Sequence, residues 1–263
     1  MILGFTKFTL GKSNNLSRLR RMPRQQPPAP RSATRPVRRR SYDQFCAAAR
    51  ALDSVGDRWT LLIVRELLAG PRRYTDLHAD LPGVSTDVLA SRLKDMEQGG
   101  LAVRRKLPPP AAASVYELTG RGRDLLPVLA ALADWGAPAL AERRPTDAVR
   151  AHWFALPLLR ALAGVGRRGV LEVRLDEGVF HLRTGRPSAE ARSDAALDGT
   201  VSDAVSDAVY GDGPADRPDA RITLDAELCL RLGRGVVTFA EAVGEGLIQV
   251  SGESPLATEL RGG

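Results

Sequence analysis

The sequence predicts an α+β fold in which a winged helix-turn-helix domain is followed by a small α+β domain, and three observations lead to it. Along residues 52–118, the local sequence patterns predict a helix, a turn, a short helix, a turn, a helix and a hairpin, in that order. Residues 147–263 carry strand signals and helix signals in separate short segments. Residues 1–40 hold 11 Lys and Arg, no acidic residue and several prolines, which is typical of a disordered basic tail.

The basic charge of the chain is concentrated in that tail. The whole chain carries +7, so residues 41–263 carry −4, and attraction to DNA there must come from local clusters. The tail is either an arm that grips phosphate or a solvated leader, with Met22 as an alternative start. No apolar run approaches the ~18 residues that span a bilayer. Two cysteines, Cys46 and Cys229, form no disulfide framework, and with no secretory signal they indicate a cytoplasmic protein.

The first domain is predicted over residues 41–140 from local start and stop signals. Asp57 is a candidate helix N-cap, and Pro127 predicts a kink or a late start in the last helix. The predicted elements, in chain order, are helices over 42–55, from Trp59 to the Gly70-Pro71 turn, over 74–80, and from Ser85 to Gly99-Gly100, then a hairpin with strands at 101–107 and 114–118, and a helix after Thr119.

The helix from Ser85 is the candidate DNA-recognition helix. Leu89, Leu93 and Met96 fall in one narrow sector at helical spacing and are expected to face the core. The exposed leading end should then reach base edges in the major groove, through thymine methyls, cytosine N4 and related groups, while Ser85 caps the helix or meets a phosphate. The candidate DNA-binding residues on this helix are Ser85, Thr86, Asp87, Ala90, Ser91 and Lys94.

Two basic clusters flank that helix in the sequence. They are Arg72-Arg73 at the start of the helix-turn-helix and Arg104-Arg105-Lys106 on the hairpin, where alternation lets at most two side chains face DNA together. They are expected to contact phosphate or the minor groove, although charge runs are often only solvated. Arg92 has two open interpretations, an internal ion pair or a phosphate contact.

The second domain is predicted over residues 147–263, after a linker at 141–146. The segment 189–213 is acidic and repetitive and is expected to be a flexible loop. The other predicted elements are a helix over 149–163, a hairpin with strands at 170–175 and 179–184, a strand at 220–224, helices at 225–232 and 238–244, a strand at 247–250 and a helix near 255–260.

Between Ser41 and Gly136 the chain resembles the HxlR-type branch of the MarR-like winged-helix regulators. The motifs that carry the resemblance are Cys46, Gly56-Asp57-Arg58-Trp59-Thr60-Leu61-Leu62-Ile63, Arg65-Glu66-Leu67-Leu68, Gly70-Pro71-Arg72-Arg73-Tyr74, Leu81-Pro82-Gly83-Val84-Ser85, Leu89-Ala90-Ser91-Arg92-Leu93 and Tyr116-Glu117-Leu118-Thr119 with Gly122. The resemblance implies a homodimer that binds pseudo-palindromic double-stranded DNA. Some members sense oxidants through a cysteine near Cys46, although a buried structural thiol is the alternative for that residue.

The second domain resembles the sterol-carrier-protein fold. The similar stretches are 217–224, 235–242 and 246–253. The resemblance implies an apolar tunnel for a lipid-like ligand, and the acidic insert at 189–213 departs from the pattern. A module that only supports oligomerisation is the alternative.

Together these features predict a sequence-specific DNA-binding transcriptional regulator, more often a repressor in this class. A small apolar effector or oxidation of Cys46 would modulate it. The alternative is a lipid-binding or carrier protein whose winged-helix unit serves only dimerisation. No nucleophile–base or metal-ligand constellation is visible, so the sequence predicts neither an enzyme nor a cofactor.

Overall fold

The computed structural model describes residues 41–110, 113–140, 144–185 and 208–262. The predicted tail at 1–40, half of the linker and most of the acidic insert lie outside these residues. From Ser41 onward the chain forms one compact unit. We call residues 41–140 the winged part and residues 144–262 the C-terminal part.

The winged part has the predicted order of elements. They are α1 (Ala47–Val55), α2 (Thr60–Leu68), β1 (Arg72–Arg73), α3 (Tyr74–Asp80), α4 (Thr86–Gln98), β2 (Ala102–Lys106), β3 (Ser114–Leu118), α5 (Gly120–Arg123) and α6 (Leu126–Gly136). A 3₁₀ turn at Ala137–Leu140 ends it.

Two helix boundaries differ from the prediction. The first helix begins at Ala47 rather than Tyr42, so Phe45 and Cys46 precede it and Phe45 is fully exposed. The helix after Thr119 is split into α5 and α6, and Pro127 lies in the first turn of α6, where a missing N–H costs nothing. The late start was therefore the correct alternative for Pro127.

The wing contains a strand that the sequence did not predict. The two residues of β1 pair antiparallel with β3, with Arg72 opposite Tyr116, and give the sheet order β1-β3-β2. Gly122 in α5 packs tightly under this sheet, because a Cβ there would lie 2.1 Å from the carbonyl oxygen of Leu101. A side chain at position 122 would therefore displace α5 from the wing.

The C-terminal part is an α+β layer around a five-stranded sheet. Its elements are a 3₁₀ turn at Ala151–Phe154, α7 (Ala155–Ala161), β4 (Gly169–Leu175), β5 (Gly178–Thr184), β6 (Tyr210–Asp212), β7 (Ala220–Thr223), α8 (Ala226–Gly233), α9 (Phe239–Gly244), β8 (Gln249–Ser251) and α10 (Pro255–Leu260). The strand order is β6-β5-β4-β7-β8, with β4 and β7 parallel and the other pairs antiparallel.

Apolar side chains on the strands of this sheet form the buried core of the C-terminal part. Val173, Phe180, Leu182 and Ile222 are all fully buried. The predicted flexible loop over 189–213 is wrong at its end, because Tyr210–Asp212 forms the edge strand β6 and Tyr210 is buried. Among the described helices, none is long and apolar enough to cross a membrane.

Candidate nucleic-acid interface

Helix α4 has the geometry predicted for a recognition helix. Leu89, Leu93 and Met96 are buried, so its polar face is turned outward. The Ser85 hydroxyl accepts a hydrogen bond from the backbone N–H of Val88 at 3.3 Å, which caps the first turn. The predicted base-reading side chains are all exposed along this face: Thr86, Asp87, Ala90, Ser91 and Lys94.

Contacts with neighbouring helices hold α4 at a fixed angle. The Tyr74 hydroxyl on α3 donates to the carbonyl of Thr86 at 2.7 Å. The Arg92 guanidinium lies 3.3 Å from Asp57, just before α2, and 2.8 Å from Asp95. Of the two interpretations of Arg92, the structure therefore supports the internal ion pair.

The hairpin presents two of its three basic residues together. Arg104 and Lys106 are exposed and share one face of β2, and the Arg104 guanidinium lies 5.9 Å from the centre of the Tyr116 ring. Arg105 departs from the prediction, because its guanidinium donates to Glu117 across the hairpin at 3.2 Å. A phosphate contact by Arg105 would compete with that ion pair.

The Arg72-Arg73 cluster is divided between two environments. Arg73 is exposed at the N-cap of α3, where its backbone N–H donates to Asp76. Arg72 departs from the prediction, because only 16% of its side chain is exposed and its Nη1 faces Asp80 and Asp212 at 4.0 and 3.8 Å. Arg72 therefore points to the junction with the C-terminal part rather than to an open DNA surface.

A family model described as HxlR-like helix-turn-helix matches residues 54–144. The uncharacterised HTH-type transcriptional regulator YvaP of Bacillus subtilis is 37% identical over 86 residues, which are 33% of this chain and 80% of YvaP. This chain belongs to the HxlR-like helix-turn-helix family.

Two further matches each cover about a third of the chain. The HTH-type transcriptional regulator YodB of Bacillus subtilis is 34% identical over 85 residues, or 32% of this chain and 76% of YodB. The solved structure of reduced YodB from the same organism matches with 32% identity and a TM-score of 0.33, over 35% of this chain and 92% of that chain.

Cys46 of this HxlR-family chain is exposed. The sequence predicted Cys46 inside a helix over 42–55. In the structure, Cys46 instead occupies the N-cap position of α1. Arg50, one turn further along α1, is the cation nearest to Cys46 in the sequence, and its guanidinium lies 3.7 Å from Asp53 and within 3.5 Å of the Ser41 hydroxyl. Its charge is therefore shared with groups other than the thiol.

The flanking helices of the HxlR-like unit carry unpaired apolar surface. Val128, Leu132 and Trp135 recur at helical spacing on α6, and Leu132 and Trp135 are 46% and 83% exposed. Leu52 on α1 is 50% exposed. Within the described residues, these apolar side chains stay about half exposed or more.

A buried polar cluster, which the sequence did not predict, joins the HxlR-like unit to the C-terminal part. Glu66 on α2 and His152 are both fully buried, and His152 Nε2 donates to Glu66 Oε2 at 2.7 Å. The Trp153 indole N–H donates to Glu66 Oε1 at 2.9 Å, and Arg65 donates to the same oxygen at 2.8 Å. We call Arg65, Glu66, His152 and Trp153 the junction cluster.

Further contacts extend this junction along α2 and α3. The Tyr210 hydroxyl donates to the carbonyl of Arg65, and the backbone N–H of Val209 donates to Leu68 at 3.1 Å. Arg150 reaches the end of α3, where its Nε lies 3.4 Å from Asp80. The C-terminal part therefore contacts both α2 and α3.

The electrostatics of the junction cluster favour a charged Glu66. Burial alone would raise the pKa of Glu66 above its ordinary value near 4.5, but the hydrogen bond from His152 and the charge of Arg65 outweigh it and lower the pKa. Burial also raises the pKa of the Tyr210 phenol, which therefore acts as a neutral donor. His152 Nδ1 lies 3.3 Å from Asp212, outside hydrogen-bond geometry.

Proposed function

We infer that this protein is a sequence-specific DNA-binding transcriptional regulator that acts as a homodimer on a pseudo-palindromic operator. The observation that carries the proposal is α4, a capped helix with a buried apolar side and an exposed polar side over its whole length. Membership of the HxlR-like family and the names of its relatives as HTH-type transcriptional regulators support it. Repression is the expected sign, because the resemblance in sequence implies it.

The leading end of α4 would enter the major groove. Thr86 and Ala90 offer methyl groups to thymine, and Asp87 offers an acceptor to cytosine N4. Ser91 and Lys94 lie one turn further along the same face. The positive N-terminal end of the helix, capped by Ser85, suits a nearby phosphate.

Phosphate binding is assigned to exposed cations around α4. Arg73, at the start of α3, and Arg104 with Lys106, on the wing, are the exposed members of the predicted basic clusters. Arg72 and Arg105 are left out, because each faces carboxylates of the protein.

Replacing Arg104 and Lys106 together by Ala should weaken binding to operator and scrambled DNA alike. Each lost phosphate contact lowers the slope of log K against log salt by about 0.9, so the double variant should lose about 2 units of slope. Fluorescence anisotropy over a salt series measures this. Arg105→Ala is the matched control, because Arg105 already pairs with Glu117 and its loss should leave the slope unchanged. An unchanged slope in the double variant would remove the wing from DNA binding.

Dimerisation is assigned to the exposed apolar faces of α1 and α6, since a two-fold operator needs a two-fold protein. Leu132→Glu with Trp135→Glu should convert a particle of twice the 28.3 kDa chain mass into a monomer in sedimentation velocity at micromolar concentration. Val236→Glu changes a similarly exposed apolar residue, 60% exposed in the C-terminal part, and should leave the dimer intact. A monomeric wild type would refute this assignment.

Two regulatory inputs stay predictions. Oxidation of Cys46 is compatible with the exposure of its thiol. The described residues give no support to an apolar effector in a sterol-carrier-like tunnel, because buried apolar side chains occupy the core against the sheet. No observation favours the alternative of a lipid carrier.

A further inference from the structure

A cleft with a mixed polar and apolar lining lies between the helix-turn-helix and the edge of the C-terminal sheet. Its volume is about 220 Å³. That is smaller than the ~300–1,000 Å³ of pockets for drug-sized ligands and suits a metabolite of modest size. The cleft is lined by Ala69, Gly70, Pro71, Arg72, His181, Arg183, Ala208, Gly211 and Asp212.

The charged side chains that line the cleft favour an anion. Arg72 and Arg183 bring two guanidinium groups to the lining, and Asp212 brings one carboxylate. His181 Nδ1 lies within hydrogen-bond distance of the carbonyl of Gly213, at 3.2 Å, and this contact holds the ring in place. Gly211 makes room for that ring, because a Cβ there would lie 2.3 Å from His181 Nε2.

The hydrogen bonding of Arg72 is incomplete within the part of the chain that the structure describes. Its Nη1 lies 3.8 Å from Asp212 and 4.0 Å from Asp80, beyond hydrogen-bond distance. Its Nε and Nη2 are buried and have no hydrogen-bond partner within the described residues. Buried N–H groups normally have acceptors, and a guanidinium binds carboxylate and phosphate groups through two parallel hydrogen bonds.

Small side chains form the rest of the wall. Ala69, Pro71 and Ala208 present apolar surface, and Gly70 turns the chain with a φ of +111°, which favours glycine. One side of the cleft therefore carries cationic side chains, and the other is a shallow wall of small apolar residues. This combination suits a compact organic anion rather than a long-chain lipid.

We propose that this cleft binds a small organic anion, with its carboxylate or phosphate group on Arg72 and its body against Ala69, Pro71 and Ala208. The ligand would also alter DNA binding, a consequence that rests on the proposed function. Arg72 lies in β1, opposite Tyr116 of the wing, and its Nη1 faces Asp80 at the end of α3. An anion that draws Arg72 away from Asp80 changes a contact that positions the helix-turn-helix, and such coupling is reciprocal.

Calorimetric titration of the full chain without DNA tests the site. The probes are benzoate and phenyl phosphate, which distinguish a carboxylate from a phosphate ligand, and benzyl alcohol as the uncharged control. We expect one of the anions to bind and benzyl alcohol not to bind. If neither anion binds at 10 mM, the proposal is overturned.

Four substitutions test whether the anion binds in this cleft. Arg72→Gln removes the central cation, and Ala208→Leu fills the cleft without changing charge, so each should weaken anion binding at least tenfold. Asp212→Asn removes the acid and should strengthen it. Arg168→Gln removes an equal charge from an exposed position outside the cleft and should have no effect. Equal binding by Ala208→Leu and wild type would overturn the proposal, even if Arg72→Gln fails to fold.

Anisotropy with operator DNA, with and without the bound anion, then tests the regulatory consequence. A change in DNA affinity that Ala208→Leu abolishes is expected. DNA binding in the absence of ligand reports on the proposed function by itself, so failure of that function and failure of the cleft are separate results. Anion binding with unchanged DNA affinity would keep the site and refute its coupling to DNA.

Discussion

Ala90→Glu should weaken operator binding about 100-fold, equal to about 2.8 kcal/mol, while binding to scrambled DNA changes much less. Ala90 lies within the exposed leading half of α4, so a carboxylate there would enter the major groove between two phosphate backbones. The variant should fold normally, because position 90 is exposed and Glu is a good helix former. Anisotropy titrations at fixed salt measure both affinities.

Gln98→Glu is the matched control for this change. It adds the same charge to the same helix at its exposed last residue, away from the leading end. Its operator affinity should fall far less than that of Ala90→Glu. Equal losses in the two variants would mean that α4 responds only to overall charge and does not read bases.

Glu66→Ala should lower the free energy of unfolding by about 3–5 kcal/mol, because it leaves the partners of a buried ion pair without their carboxylate. His152 would keep a buried N–H group and Trp153 a partly buried one with no acceptor, and Arg65 would lose its counter-ion. A loss of this size is a large share of the 5–15 kcal/mol that stabilises an ordinary domain. Urea denaturation followed by tryptophan fluorescence measures it.

Asp134→Ala provides the comparison, since it breaks the ion pair between Asp134 on α6 and Arg160 on α7 at the exposed side of the same junction. That loss should be below about 1 kcal/mol. The lowered pKa of Glu66 also sets a pH dependence: its contribution is present above pH 4.5 and is lost as the pH falls through the folded-state pKa. Glu66→Gln should therefore flatten the stability profile below pH 4.5. If Glu66→Ala costs no more than Asp134→Ala, the junction cluster is not a stabilising contact.

The elements of the winged part could be predicted because their signals are local. The apolar spacing of Leu89, Leu93 and Met96 fixes the buried side of α4, and Ser85 and Gly99-Gly100 mark its ends within one turn. The exposed candidates on the other side follow from the same periodicity. For the same reason, the hairpin at 170–184 was predicted almost to the residue.

Contacts between distant segments could not be predicted in this way. Glu66 appears in the sequence as one charge on an apolar helix, and its partner His152 lies 86 residues away. Arg72 has the same local signal as Arg73, but Arg72 faces Asp80 and the distant Asp212 while Arg73 is exposed. The strands β1 and β6 are two and three residues long, too short to show a period of two.

Selection of genomic fragments on the purified full chain at about 150 mM salt tests the central claim most directly, followed by affinity measurements on the best fragment and on scrambled DNA. The account predicts a shared two-fold sequence, bound roughly a thousandfold or more tightly than scrambled DNA. Weak, uniform binding that disappears when residues 1–40 are removed would contradict it. In that case the basic tail would be responsible for the attraction to DNA, and α4 would not read an operator.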